Sequence, residues 1–187
     1  MRKNWAALAL TGMLCLTTFA GTQTVSAETA DSAKQVDIVF THDTHSHLNT
    51  FTTIVDEAEK EVGGFARINT LIQEQKAKNP DTLVIDGGDF SMGTLIQTVF
   101  ETQAAEIRML GYMGCDVTTL GNHEFDYRSK GLANMLNSAA ESGDDLPAMV
   151  VCNVDWESME AAGLSEGQQL IRDAFDEYGV SDYVVLE

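Results

Sequence analysis

Apolar residues along this chain fall into two alternating rhythms. Short runs at 36–40, 83–85, 117–120 and 148–152, largely apolar or β-branched and continuously apolar at 83–85, are too short for helices and predict strands. Between them the apolar residues recur at helical spacing. Phe65, Ile68, Leu71 and Ile72 predict an amphipathic helix over 65–78, entered through Gly63-Gly64 and stopped by Asn79-Pro80-Asp81. Residues 94–112 read as a second helix, with Ile96, Val99, Phe100, Ile107, Met109 and Leu110 as its apolar members and Gly111 and Gly114 at its end. Residues 129–140 read as a third, with Leu132, Met135 and Leu136 inward; 164–178 also has helical spacing, and 183–186 offers a last strand. Strands alternating with helices predict an α/β fold, a mostly parallel sheet flanked by helices. Right-handed crossovers then bring the strand ends to one edge.

The first 27 residues stand apart from this pattern. Arg2 and Lys3 precede an apolar stretch at 5–20, and Val25-Ser26-Ala27 is a small-residue cleavage site. These three parts predict a secretory signal peptide over 1–27 and an exported protein, extracellular, in the cell wall or periplasmic. No stable membrane span is expected once the leader is cleaved. Residues 28–35 read as a small, polar lead-in, and 36–187 as the folded part. A chain of 187 residues suits one domain.

Charge narrows the partners. The chain has 11 basic and 29 acidic residues, a net charge of −18; loss of Arg2 and Lys3 takes the basic count from 11 to 9 and the net charge to −20. Such acidity argues against binding to nucleic-acid polymers or anionic membranes. An anionic substrate would need metal ions to offset the repulsion. Beyond the leader two cysteines remain, Cys115 and Cys152. An oxidising location permits a disulfide, which spacing alone does not establish; their places in or beside apolar runs favour two buried thiols.

Three of the strand-like runs end in metal-type ligands. Asp43-Thr44-His45 follows the first, Asp86-Gly87-Gly88-Asp89 the second, and Gly121-Asn122-His123-Glu124-Phe125-Asp126 the third. The carboxyl ends of strands are where an α/β sheet builds its site. Taken singly, Asp43, Asp89 and Asn122 read as turn residues; taken together they read as a metal centre. Asp, His and Asn suit zinc-, manganese- or iron-type divalent ions better than calcium, and no cysteine stands among them to make a thiolate zinc site. Two such ions about 4 Å apart, sharing a carboxylate, activate water and stabilise both oxygens of an in-line displacement, which fits phosphate esters. His42 and His47 fall off the Asp-x-His spacing and read as non-ligands. Glu124 reads as a structural partner within its loop, Asp86 as a group orienting the loop from behind, and Gly64 and Arg67 as residues that position the first helix.

The motifs Asp43-x-His45, Gly87-Gly88-Asp89 and Gly121-Asn122-His123-Glu124 resemble the first three motifs of the calcineurin-like metallophosphoesterases. The wider context is Thr41-His42-Asp43-Thr44-His45-Ser46-His47, Gly63-Gly64-Phe65-Ala66-Arg67 and the same third motif extended through Tyr127. It is similar to the secreted 5′-nucleotidases and 2′,3′-cyclic-nucleotide phosphodiesterases, over roughly 36–155. The resemblance implies a layered metallophosphoesterase fold, two divalent metal ions (zinc, manganese or similar) and a nucleotide substrate. It implies that Asp43 and His45 hold the first metal, that Asp89 bridges both and that Asn122 binds the second. His123 would contact the phosphoryl group, oriented by Asp126. Family members continue into a Gly-His-x-His motif and a C-terminal domain that recognises the base. The histidines here are His42, His45, His47 and His123, so 36–187 is expected to be the N-terminal part of such a domain. Its sheet should then leave an apolar face and a strand edge open, and the chain should self-associate. Two other readings stand beside this one: a secreted metal-binding or interaction module without turnover, and a metallophosphoesterase for a nucleotide sugar or dinucleotide.

Overall fold

Four short strands, β1 (Ile38–Thr41), β4 (Leu83–Asp86), β5 (Val117–Thr118) and β6 (Ala148–Met149), lie side by side in that order and all run parallel. They belong to a computed structural model that describes residues 35–186. The expected leader and nearly all of the expected lead-in lie outside the described residues. The register pairs Phe40 with Ile85, Ile85 with Val117 and Thr118 with Met149, so the ends of β1, β4 and β5 line up at one edge. The α/β architecture expected from the apolar pattern is the one observed.

Helix α1 (Phe65–Lys78) starts after Gly63 and Gly64, whose φ values of 71° and 86° suit glycine. Arg67 donates to the Gly63 carbonyl and to Glu61, both at 3.1 Å, and so fixes the entry to α1. The helix ends at Asn79, whose side chain accepts the Asp81 N–H at 3.1 Å, and its last turn carries Lys76 and Lys78 against the carboxyl end of the helix dipole. Helices α4 (Arg128–Ala140) and α6 (Glu166–Tyr178) form where helical spacing was read; α4 buries Leu132, Met135 and Leu136 as expected. Residues of all three helices join the buried core. Val84 and Met149 point into that core with Ile72 and Phe175. The opposite face is open at β1, where Ile38 and Phe40 are 56% and 59% exposed. Beside them an apolar groove of about 1070 Å³ runs from Phe40 and Ile85 to Trp156 and Ile171.

Several elements depart from the expected ones. The single helix expected over 94–112 is three pieces: a 3-10 turn (Leu95–Val99), α2 (Phe100–Gln103) and α3 (Ala105–Tyr112). The break is at Ala104, buried and left-handed at φ 46°. It is imposed from outside, because Glu101 ties α2 to α4 by accepting from Asn134 and Ser138, both at 2.8 Å. The hairpin β2 (Phe51–Val55) and β3 (Ala58–Val62) was not foreseen; its two turn residues, Asp56 and Glu57, both have positive φ, as a tight hairpin requires. Helix α5 (Trp156–Ala162), capped by Asp155 accepting the Ser158 N–H at 3.0 Å, was not foreseen either. The strand expected over 183–186 is absent. The chain meets the sheet at Ser181, in a single bridge to Val150, and then leaves it with Tyr183 and Val185 exposed. The runs at 117–120 and 148–152 pair over two residues each before the chain turns away. Both cysteines among the described residues are free; Cys115 is buried as expected, but Cys152 is exposed, because it follows the end of the β6 run and lines the open groove. No helix among the described residues is long and apolar enough to cross a membrane.

Candidate metal centre

The loop after β1 continues alongside the loop after β4 without strand geometry. Asp43 N–H donates to the Gly88 carbonyl at 3.1 Å, His45 N–H to the Asp89 carbonyl at 3.1 Å and Ser46 N–H to the Phe90 carbonyl at 2.8 Å. Asp43, His45 and Asp89 all adopt positive φ, between 44° and 52°. Non-glycine residues in that region mark backbone held by its surroundings. Behind them, the buried Asp86 accepts from Thr41 Oγ1 at 2.7 Å, Thr118 Oγ1 at 3.1 Å and Gly88 N–H at 3.0 Å. It thereby joins the ends of β1, β4 and β5, the orienting part read from its position. Burial pushes its carboxyl above the ordinary range.

The loop after β5 is fastened to the loop after β4 by Glu124. This buried carboxylate accepts Gly121 N–H at 2.7 Å and Asp89 N–H at 3.0 Å on one oxygen. Its other oxygen accepts Ser91 N–H at 3.0 Å and the Ser91 hydroxyl at 2.7 Å. The two loops touch so closely that a Cβ on Gly88 would lie 2.5 Å from Gly121 N, and one on Gly121 only 2.1 Å from Asp89 Oδ1.

These constraints bring the expected side chains together. His45, Asp89 and His123 each offer a ligand atom, all within 4.8 Å of one another. The His45 and His123 rings meet edge to face with centroids 5.0 Å apart. Asp43 Oδ1 lies 4.0 Å from His45 Nε2, and Asp43 Oδ2 accepts from His42 Nδ1 at 2.8 Å. That bond, more than any other influence, holds the Asp43 carboxyl below its ordinary range. Asp89 Oδ1 accepts the His123 N–H at 2.8 Å. With its amide turned to satisfy both ends, Asn122 donates to Asp89 Oδ2 and accepts from His123 N–H, each at 3.2 Å. Asp126 Oδ2 lies 2.8 Å from His123 Nδ1. Hydrogen bonding to Asp126 is the largest of the influences that raise His123 above the ordinary histidine value.

The donor set fits divalent ions of the zinc or manganese type: imidazole nitrogen, carboxylate and amide oxygen, with no thiolate. His45 is prepared for it. Its Nδ1 faces the Ser91 carbonyl at 3.3 Å, an atom that can only accept, so Nδ1 is the donor there and Nε2 is left to face the Asp43 carboxylate. Asn122 can offer its amide oxygen by turning over. His42 and His47 make other contacts. His42 serves Asp43 and packs beside Phe40, while His47 bonds the Thr44 carbonyl and packs against Phe51. One pair escaped the sequence reading: Ser46 donates to Glu106 Oε1 at 2.7 Å, both fully buried. The available signal was an acid set among apolar residues of a helical stretch.

Residues 36–181 match the calcineurin-like phosphoesterase family. A 5′-nucleotidase-related protein of Glossina morsitans morsitans is 30% identical over 184 residues, covering 94% of this chain and 32% of its own length. The crystal structure of a 5′-nucleotidase precursor from Thermus thermophilus is similar at a TM-score of 0.56 and 30% identity, over 65% of this chain and 23% of that one. The structure of the Haemophilus influenzae NAD nucleotidase is similar at a TM-score of 0.54 and 27% identity, over 63% of this chain and 20% of that one. The chain spans less than a third of the length of the curated relatives it matches, 32% for the Glossina protein and 18% for a probable 5′-nucleotidase of Treponema pallidum. With the three motifs converging on one cluster and the family match running across nearly all the described residues, the chain belongs to the calcineurin-like phosphoesterase family.

Proposed function

We propose that this chain carries the N-terminal, metal-binding part of a secreted two-metal phosphoester hydrolase that acts on nucleotides, either nucleoside 5′-monophosphates or 2′,3′-cyclic nucleotides. The observation that carries this reading is the convergence of His45, Asp89 and His123 within 4.8 Å at the ends of three parallel strands. In this reading Asp43 and His45 hold one divalent ion, Asp89 lies between two, and the Asn122 amide oxygen serves the second. Bound divalent ions would supply charge neutralisation and an activated water.

The chain's own residues do the rest. His123, kept protonated to higher pH by Asp126, presents Nε2–H to a phosphoryl oxygen whose negative charge grows in the transition state. Asp126 fixes the ring's tautomer and direction. Glu124 and the Gly88–Gly121 contact hold Asp89 and His123 at a fixed separation, so little reorganisation accompanies reaction. The leader read at 1–27 assigns the enzyme an exported location.

Similarity to a NAD nucleotidase keeps a dinucleotide as the second substrate reading. The test is product formation from AMP, 2′,3′-cyclic AMP and NAD by the protein encoded by the whole reading frame, with and without EDTA. Manganese- or zinc-dependent turnover of AMP or the cyclic nucleotide, lost in Asp89→Asn, is the expected result. Stoichiometric metal uptake without turnover of any of the three would replace the hydrolase reading with a metal-binding module.

A further inference from the structure

The turn that carries Asp43 and His45 has a conformation that L-residues avoid, with Asp43, His45 and Ser46 at φ 52°, 44° and 54°. Three such residues within four persist only where the surroundings over-determine them. Ser46 is where this turn is held. Its N–H donates to the Phe90 carbonyl at 2.8 Å. Its carbonyl accepts from Thr94 Oγ1 at 2.7 Å and from Leu48 N–H at 2.9 Å. Its hydroxyl donates to Glu106 Oε1 at 2.7 Å. The next residue toward the metal cluster, His45, is backed by Gly93, where a Cβ would lie 2.4 Å from the His45 carbonyl oxygen and 2.9 Å from its Cβ. The backbone and Cβ of His45 are therefore packed closely against Gly93.

Glu106 is the unusual member of this set. It sits in the first turn of α3, directly after the left-handed Ala104, and is fully buried beside Ile107 and Leu110. A carboxyl group placed among apolar side chains is costly unless it is hydrogen-bonded. Oε1 has Ser46, while Oε2 has no hydrogen-bond partner among the described residues. An apolar side chain there would have filled the space with no polar atom left over. What a carboxyl adds at this place is an acceptor for the Ser46 hydroxyl, delivered from a helix 60 positions away in sequence.

We propose that Glu106 is a positioning residue of the metal centre: through the Ser46 hydroxyl it locks the left-handed turn that directs His45 Nε2 toward Asp89 and His123. This rests on the reading of His45, Asp43 and Asp89 as metal ligands. Glu106 touches neither metal ligand nor substrate, and its effect passes through one hydroxyl. Removing Ser46 Oγ or Glu106 Oε1 should therefore have the same consequence, and restoring an uncharged acceptor should reverse it.

The test is Mn²⁺ binding by titration calorimetry to the whole chain and to His45→Ala, Ser46→Ala, Glu106→Ala and Glu106→Gln, with circular dichroism of each in EDTA. Wild type should bind, and His45→Ala sets the scale of a lost ligand. Ser46→Ala and Glu106→Ala should each weaken binding by about tenfold or more, the usual range for partners that orient a metal ligand. Glu106→Gln, whose amide oxygen still accepts the hydroxyl, should stay within about threefold of wild type, a rescue that general loosening of the core would not produce. Should Glu106→Ala fail to fold, Ser46→Ala removes the same bond from the side of the turn and, where circular dichroism shows it folded, decides alone. Binding by a folded Ser46→Ala chain within about twofold of wild type overturns the inference, as does Glu106→Gln binding as weakly as His45→Ala. No binding by wild type overturns the ligand reading itself, which distinguishes the two failures.

Discussion

The carboxylate of Glu124 accepts the backbone N–H of Asp89 at 3.0 Å, so the loop after β5 sets the position of the acid in the loop after β4. The same group takes Gly121 N–H, Ser91 N–H and the Ser91 hydroxyl. Glu124→Ala leaves four donors without an acceptor at a buried site. A buried unsatisfied donor costs about 1–3 kcal/mol, and water entering the gap recovers part of it. The expected loss is at least ~3 kcal/mol, on the scale of breaking a buried hydrogen-bonded charge. Glu124→Gln should fall between, because its amide oxygen serves one loop while its NH₂ opposes the donors of the other. Urea unfolding of the three proteins measures this, and a loss under about 1 kcal/mol for the alanine variant would show that the loops are held elsewhere.

Gly121 isolates the steric half of the same arrangement. Its backbone is not left-handed, so alanine is compatible with the local conformation. The added methyl would nonetheless stand 2.1 Å from Asp89 Oδ1 and 2.6 Å from Asp89 N. Asp89 must move, and with it the 2.8 Å bond to His123 N–H. Gly121→Ala should cost about 1–3 kcal/mol, the usual range for overpacking, and should lower Mn²⁺ affinity at least about tenfold. Calorimetric titration alongside Asp89→Asn gives the comparison. Affinity equal to wild type in the alanine variant would separate Asp89 from the metal site.

The His123–Asp126 pair fixes a sign. Hydrogen bonding to Asp126 is the largest influence raising His123 above its ordinary value of 6.5. The pair's contribution to stability is therefore complete below pH 6.5 and is lost as pH rises through the higher folded value. Asp126→Asn removes the largest cause. The His123 ring should then titrate at lower pH than in wild type, and the extra stability of acidic solution should shrink. An NMR titration of the histidine ring protons in EDTA reads the first effect directly. A His123 midpoint that does not fall would refute the pairing.

Much of the candidate site was legible because its parts are local. Asp43-x-His45, Gly88-Asp89 and Asn122-His123 each stand at the end of an apolar run, so spacing alone placed them at strand ends. Glu124 lies three residues after Gly121, and its tie within that loop was equally readable. Helices α1, α4 and α6 followed from spacing because each buries a single apolar face. What escaped depends on partners distant in sequence. Nothing around Ala104, a strong helix former, announces a break; the break belongs to Glu101, Asn134 and Ser138 packing as a unit. The hairpin turn uses Asp56-Glu57, without the glycine that usually marks such turns, and strands exposed on both faces show no alternation. Cys152 was read as buried because it ends an apolar run, but the sheet face beside that run is uncovered.

That uncovered face has a consequence for the chain in solution. Strand β1 pairs with β4 on one side only, so among the described residues its other edge carries no further strand, and Ile38 and Phe40 are more than half exposed on the sheet face beside it. An apolar strand edge is a template for a second copy, whereas a net charge of −18 drives copies apart. Screening weakens the repulsion and leaves the apolar attraction in place. Self-association of the isolated chain should therefore grow as salt rises from low to about 0.5 M, contrary to what an ion-pair-driven contact would do. Ile38→Lys places a charge on the open face beside that edge and should shift the chain toward monomer, with stability changed by no more than about 0.5 kcal/mol because the position is exposed. Sedimentation velocity at several concentrations and two salt levels separates these outcomes. A wild-type chain that remains monomeric in high salt and melts cooperatively would mean that the edge is already protected.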